Sequence, residues 1–317
     1  MTEITKRLAE LSPLKRAQLL AQLKARAPAG GTATATAAPD QEAPPLLLNL
    51  DLPTEPVSVK ADYKRFYDSV SSQLNASVFG QFSYFLNYGY VADGSPQFAS
   101  VDLPDQFINK NSVKLVLELV GDCRVDGMRV LDVGCGRGGT LYTLKTFFKP
   151  RTLTGLDLSS EAIAFDRHAH GDSRTFFHEG DAEHLPFPDG SFDIVTNVES
   201  SHSYPNITRF YTEVGRVLGP GGHFLYTDAL AISQITSGLA YLDHLGFELL
   251  RNRNITANVL RSCDEVSRSR VQAFDTRNDQ NLMQNFLATP GSQVYEEMRT
   301  GRWEYRIFKL RRRAGSA

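Results

Sequence analysis

The sequence is poor in cysteine. Cys123, Cys135 and Cys263 are the only three in 317 residues, and they are widely spaced. An odd, scattered set builds neither a disulfide framework nor a zinc cluster, so a reducing cytoplasm is the expected compartment. No apolar run reaches the roughly eighteen residues of a transmembrane helix, so no stable membrane insertion is expected. The first residues hold no apolar stretch followed by a small-residue cleavage site, and no secretory leader is expected. Neither sign of charge is in excess: the formal net charge is −2, which offers no electrostatic reason to expect nucleic acid. Internal repeats and metal-ligand clusters are also missing, so no metal is expected. What remains is 41% apolar and 22% charged residues, the composition of a folded, soluble chain.

Composition divides the chain into zones. Residues 1–26 read as an amphipathic helix with Leu8, Leu11, Leu19, Leu20 and Leu23 on one face and lysines and arginines on the other. Residues 27–57, rich in proline, alanine and threonine, have little to bury and read as a flexible linker. Residues 58–121 show helical patches around the aromatic stretch "FGQFSYFLNYGY". From 122 to 313 strand and helix signals alternate, with strands expected at 128–133, 152–157, 174–179, 192–198, 222–229, 247–253 and 302–310. Alternation of this kind implies a largely parallel sheet with helices on both faces.

The stretch "VLDVGCGRGG" places Gly134, Gly136, Gly138 and Gly139 directly after an apolar strand and before a helix. Strand, glycine turn and helix start together form a pocket in which a ligand can press against backbone, where Cβ atoms would hold it off. The G-x-G-x-x-G spacing is also that of dinucleotide-binding folds, so spacing alone does not name the ligand. Asp157 closes the second strand, where it suits ribose hydroxyls, with Leu158 after it. Asp181, beside Ala182, follows the third strand and suits an adenine amino group.

Taken in order, "VLDVGCGRGG", "GLDLS", "GDAEHLPFPDGSFDIV" and "RVLGPGGHF" resemble the successive motifs of class I S-adenosylmethionine-dependent methyltransferases. The resemblance implies an α/β, Rossmann-like, seven-stranded sheet with a reversed last strand, here "RWEYRIFKL". S-adenosyl-L-methionine is the implied cofactor, and Asp132 is implied to organise the glycine loop and the amino-acid end of that cofactor. "QFSYFLNYGY", "NVESSHSYP" and "NITANVLRSCDEV" extend the likeness to O-methyltransferases of polyketide, peptide–polyketide and complex-lipid biosynthesis.

A sulfonium methyl needs an in-line nucleophile, and a hydroxyl nucleophile must also lose its proton. The base is expected beyond the fourth strand, in "TNVESSHSYPN", where Asn197 is a candidate cofactor contact and His202 the candidate base. Relatives resembling this chain use a histidine there. Glu199 is a candidate partner that would orient the ring, and a contact to the cofactor or the loop backbone is its alternative. The other histidines, among them His170, are expected on surface helices, strand ends or turns. Tyr84, Asn87, Tyr88 and Tyr90 are candidates for a lid over the cofactor, the alternative being core packing. Residues 256–300 exceed what the fold needs between its last strands and are expected to form helices walling an apolar acceptor pocket, or simply to pack. "LSPLKRAQLLAQLKAR" resembles the opening helix of modules in peptide and polyketide assembly lines, which implies docking to a synthase. A plain extension and a membrane-surface contact are its alternatives. The alternatives to O-methylation are a C- or N-methyltransferase of a quinone- or lipid-like molecule and a non-catalytic docking partner.

Overall fold

The structure is a computed structural model, and it describes residues 56–76, 80, 83–92, 103, 109–271 and 280–314. The candidate docking helix at 1–26 and most of the linker lie outside the described residues.

Seven strands form one sheet: β1 (Arg129–Val133), β2 (Thr152–Asp157), β3 (Thr175–Glu179), β4 (Phe192–Val198), β5 (Leu218–Ala231), β6 (Phe247–Asn254) and β7 (Trp303–Arg312). Their spatial order is β3-β2-β1-β4-β5-β7-β6. β1 to β5 pair in parallel, whereas β7 runs antiparallel between β5 and β6. Every strand expected from the sequence is present, and the last is the reversed one. Period-two alternation explains why: Val130, Ile194, Leu225 and Ile307 enter one core layer, and Leu131, Val195, Phe224 and Phe308 enter the other.

Helices cover both faces. They are α1 (Pro56–Ala76), α2 (Lys110–Val120), α3 (Gly139–Phe147), α4 (Ser160–Ala169), α5 (Ile207–Val217), α6 (Ile232–His244), α7 (Thr256–Val271), α8 (Gln280–Phe286) and α9 (Gln293–Arg299). Among the described residues no helix is long and apolar enough to cross a membrane. The insertion at 256–300 carries α7, α8 and α9, and Val259 packs into the core alongside Val294 and Met298. The side chains of Val271, Phe274 and Leu282 lie outside those described.

The parallel strands bring the loops after β1, β2, β3 and β4 to one edge of the sheet. The order reverses between β1 and β4, which leaves a crevice there. α1 lies across this edge: Lys60 pairs with Asp181 and Glu183 at 2.8 and 2.6 Å, and Lys64 reaches Leu158 O at 2.9 Å. Ser159 Oγ, further along the same edge, donates to Asp68 at 2.6 Å.

Candidate active site

The crevice is a cavity of about 1130 Å³, counted out to its open mouth. Gly134, Gly136, Asp157, Leu158, Asp181, Ala182, Tyr88, Glu199 and His202 all line it. Asp132 and Asn197 do not. Both are buried beneath the loops and act as braces. Asp132 Oδ1 accepts from Thr196 Oγ1 on β4 at 2.6 Å, and Asn197 Nδ2 donates to Val133 O at 2.9 Å and to Ser200 Oγ at 2.7 Å. Asp132 and Asn197 thus support the loops that face the cavity. Burial pushes Asp132 up to about 7, against the pull of the Thr196 and Thr140 hydroxyls.

The glycine loop takes positive φ at Gly134, Gly136 and Gly138 (70°, 55° and 73°), which other residues adopt at a cost. The reason for glycine differs along the loop. A Cβ at Gly134 would lie 2.3 Å from Ser200 Oγ and 2.6 Å from the Tyr204 hydroxyl. One at Gly138 would strike His170, and one at Gly139 would strike Phe85. Only at Gly136 is the space open, with Leu86 Cδ1 at 3.6 Å. Packing of protein on protein accounts for Gly134, Gly138 and Gly139, whereas at Gly136 the left-handed backbone asks for glycine and the space beside it belongs to the cavity. His170, expected on the surface, is buried under the loop. Its ring meets Tyr84 edge-on at 4.5 Å, and burial lowers its pKa to about 4.

Arg137, in the same loop, is a fully buried cation that the sequence did not single out. Its guanidinium donates to Ser83 O, Gly80 O and Asn75 Oδ1 at 2.8, 2.7 and 2.8 Å and lies 3.7 Å over the Phe165 ring. It ties α1 and the chain after it to the loop. The aromatic stretch then crosses the cavity as a strap, residues 83–92. Tyr84, Asn87 and Tyr88 line the cavity, while Tyr90 is in the core, its hydroxyl accepting from Arg253 at 3.0 Å.

The donor and acceptor set fits an adenosyl group. Asp157 accepts from Gly136 N and Ser159 N, both at 2.8 Å, which leaves lone pairs for ribose hydroxyls at the cavity wall. Asp181 is more committed: it accepts from Glu183 N at 2.9 Å, Lys60 Nζ at 2.8 Å and His184 Nδ1 at 3.2 Å. Leu158 and Ala182 supply apolar walls between the two acids.

At the end of β4 a short 3-10 turn, Ser201–Ser203, carries His202. Its Nδ1 lies 2.8 Å from Asp228 Oδ1 on β5. Asp228 is fully buried and also accepts from Ser201 Oγ at 2.6 Å, His202 N at 3.1 Å and Ala229 N at 2.8 Å. The Tyr226 hydroxyl sits 2.6 Å from Ser201 Oγ and extends the network. Glu199, the partner named from spacing, is used differently. Both its oxygens accept from Tyr88 N, at 2.8 and 3.0 Å, and Tyr305 of β7 donates its hydroxyl to it. The register explains the exchange of partners. Val198 pairs with Thr227, so Asp228 stands beside the turn that follows β4. A lone carboxylate in the apolar strand "FLYTDALA" was the sequence signal for it.

Burial alone would depress the imidazole pKa. The charge and hydrogen bond of Asp228, with the charge of Glu199 added, outweigh burial and hold His202 above 6.5. The wall beyond His202 is aromatic and apolar, made by Tyr63 and Tyr67 of α1, Leu86 of the strap and Phe286 of α8. Tyr67 and Ser203 bond hydroxyl to hydroxyl at 3.0 Å.

Residues 131–226 match the family described as "Methyltransferase domain". A fatty-acid O-methyltransferase of Mycolicibacterium smegmatis is 40% identical over 226 residues, 71% of this chain and 81% of that protein. The chain belongs to the S-adenosylmethionine-dependent methyltransferases. A phthiotriol/phenolphthiotriol dimycocerosates methyltransferase of Mycobacterium ulcerans is 34% identical to this methyltransferase, over 71% of this chain and 82% of its own. Among solved structures, the [4+2]-cyclase SpnF shares the fold with a TM-score of 0.61 at 22% identity, covering 81% of this chain and 97% of its own. The donor of this methyltransferase is S-adenosyl-L-methionine, and the residues around the crevice are of the kind that would hold it.

Proposed function

We propose that this methyltransferase transfers its methyl group to an oxygen of a lipid- or polyketide-like small molecule, with His202 taking the proton of an acceptor hydroxyl. One observation carries this: the 2.8 Å bond that fixes His202 to buried Asp228 at the wall of the cavity formed by the glycine loop. The bound donor supplies an electrophilic methyl on sulfur, which reacts on in-line approach. The protein's part is to hold the acceptor and manage its proton. Asp228 keeps the Nδ1 proton in place, so Nε2 is the nitrogen that can accept one. The resulting imidazolium is stabilised by the same carboxylate. Tyr63, Tyr67, Leu86 and Phe286 give an apolar acceptor a wall to lie against. The printed names of the relatives, a fatty-acid and a phthiotriol-type methyltransferase, support an acceptor of this class.

A second reading has a carboxylate acceptor and rests on the 40% identity to the fatty-acid O-methyltransferase. A carboxylate has no proton to lose. In that case a protonated His202 would pair with one acceptor oxygen while the other meets the methyl.

The test is mass spectrometry of products from S-adenosylmethionine with long-chain alcohols, phenols and fatty acids, using the parent protein and His202→Ala. Ethers formed by the parent and lost by at least a hundredfold in the variant support the base. Methyl esters as the sole product favour the second reading, and a methyl on carbon or nitrogen overturns both. Docking to a synthase through residues 1–26 belongs to this proposal on the strength of the sequence alone. Deleting them should leave turnover of free acceptor intact and abolish co-purification with the synthase.

A further inference from the structure

Glu199 does not hold the His202 ring nitrogen that Asp228 holds, yet its position is costly. Its φ is +50°, in the left-handed region that a non-glycine residue avoids. Glycine would take that conformation without strain, so a glutamate there points to a use for its side chain. The use is visible. Tyr88 lies in the middle of the strap, and its backbone is gripped on both sides. Tyr88 N donates to the two oxygens of Glu199, at 2.8 and 3.0 Å, and Tyr88 O accepts from Ser262 Oγ of α7 at 2.7 Å. Gly89 follows with φ +82°, where a Cβ would lie 2.6 Å from Ser262 Oγ. Tyr305 donates its hydroxyl to the same glutamate from β7. One carboxylate thereby joins the end of β4, the strap and the reversed strand at the cavity wall.

We propose that Glu199 is a positioning residue: it clasps the strap 83–92 across the cavity, so that closure of the strap and the electrostatics of His202 depend on one side chain. This rests on the assignment of His202 to the reacting oxygen. The charge of Glu199 adds to that of Asp228 in favouring the imidazolium. Phenols surround the pair: Tyr67 of α1 bonds Ser203, Tyr88 of the strap donates its backbone N–H to Glu199, and Tyr305 of β7 donates its hydroxyl to Glu199. Burial raises all three, so they stay neutral where His202 titrates. With the strap lifted, Glu199 gains water and its influence on the ring falls. The ring gains water at the same time, which by itself favours the charged form, so the charge-only change Glu199→Gln is the one that isolates the carboxylate's contribution.

Two readouts that need no turnover test this in the full chain: the NMR titration midpoint of His202, assigned by its loss in His202→Ala, and amide exchange across residues 83–92. Glu199→Gln keeps an acceptor for Tyr88 N but no charge. It should lower the midpoint by about half a unit to one unit while largely keeping the strap protected. Glu199→Ala should speed strap exchange by roughly tenfold or more. Ser262→Ala removes the other grip, and should speed exchange while moving the midpoint less than Glu199→Gln does. The proposal is overturned if Glu199→Gln leaves the midpoint at the parent value, or if Glu199→Ala leaves strap exchange unchanged. Should His202→Ala keep full turnover while these shifts appear, the assignment of the base fails and the clasp stands.

Discussion

His202 Nδ1 and Asp228 Oδ1 lie 2.8 Å apart, and the carboxylate is wholly buried. Four donors converge on Asp228, so its orientation is over-determined and the imidazole can take only one tautomer against it. Asp228→Asn should keep the fold and lower kcat by roughly 10² to 10⁴, because an amide can present its NH₂ to Nδ1 and fix the wrong tautomer. Steady-state kinetics checks this, with S-adenosylmethionine affinity within a few-fold of the parent by calorimetry.

The pH profile follows from the same pair. Below its pKa His202 is charged and cannot act as a base. Because Asp228 and Glu199 hold it above 6.5, the acid limb of kcat/KM should fall above that value for a hydroxyl acceptor. It should move to lower pH in Asp228→Asn. The sign for stability is the reverse. A histidine raised in the folded state stabilises fully below its unfolded pKa, and that contribution is lost as pH rises through the folded value. A rate independent of pH between 6 and 9 (on the order of the range over which a perturbed histidine titrates) would remove His202 from proton transfer.

Gly134→Ala and Gly136→Ala should fail in different ways. At Gly134 the new methyl meets Ser200 Oγ at 2.3 Å and the Tyr204 hydroxyl at 2.6 Å, so the loop must shift and the protein should lose stability. At Gly136 only Leu86 is near, at 3.6 Å. The cost to folding there is about 1–2 kcal/mol of backbone strain, while the methyl intrudes on the cavity and should weaken cofactor binding at least tenfold. Thermal melts and calorimetry on the pair separate the two effects.

Arg137→Met should uncouple the strap from the glycine loop. It strips donors from Ser83 O, Gly80 O and Asn75 Oδ1. The expected loss is roughly 3 kcal/mol or more, since each buried acceptor left unpaired costs about 1–3 kcal/mol. Denaturant unfolding measures it, and faster proteolysis within residues 76–92 should accompany it.

Asp132 is raised to about 7 by burial, so the folded protein prefers the protonated acid. The unfolded chain ionises near 4. Between those values the folded state is progressively penalised, and Asp132→Asn is free of the penalty. The stability deficit of Asp132→Asn relative to the parent should therefore shrink as pH rises from about 4 to 7, as read from denaturant midpoints at several pH values.

What the sequence determined by itself is local. Strand signals alternating with helix signals placed all seven strands to within a few residues, because a half-buried or fully buried strand needs its apolar residues whatever its neighbours are. That Gly134, Gly136, Asp157, Asp181 and His202 line the crevice was legible because they sit at the carboxyl ends of those strands, where a parallel sheet opens one. What only the tertiary structure decided is pairing between distant segments. Glu199 is three residues from His202, yet the ring nitrogen bonds to Asp228, 26 residues on, because parallel register sets β5 beside the end of β4. Arg137 reads as one more loop cation until α1 and the chain after it fold over it and present their carbonyls. Tyr305, more than a hundred residues from Glu199, reaches it only because the last strand inserts in reverse beside β5. Spacing along a chain states which groups share a turn. Which carboxylate holds which donor is settled when burial removes water and leaves each group only the partners that the fold has brought within reach.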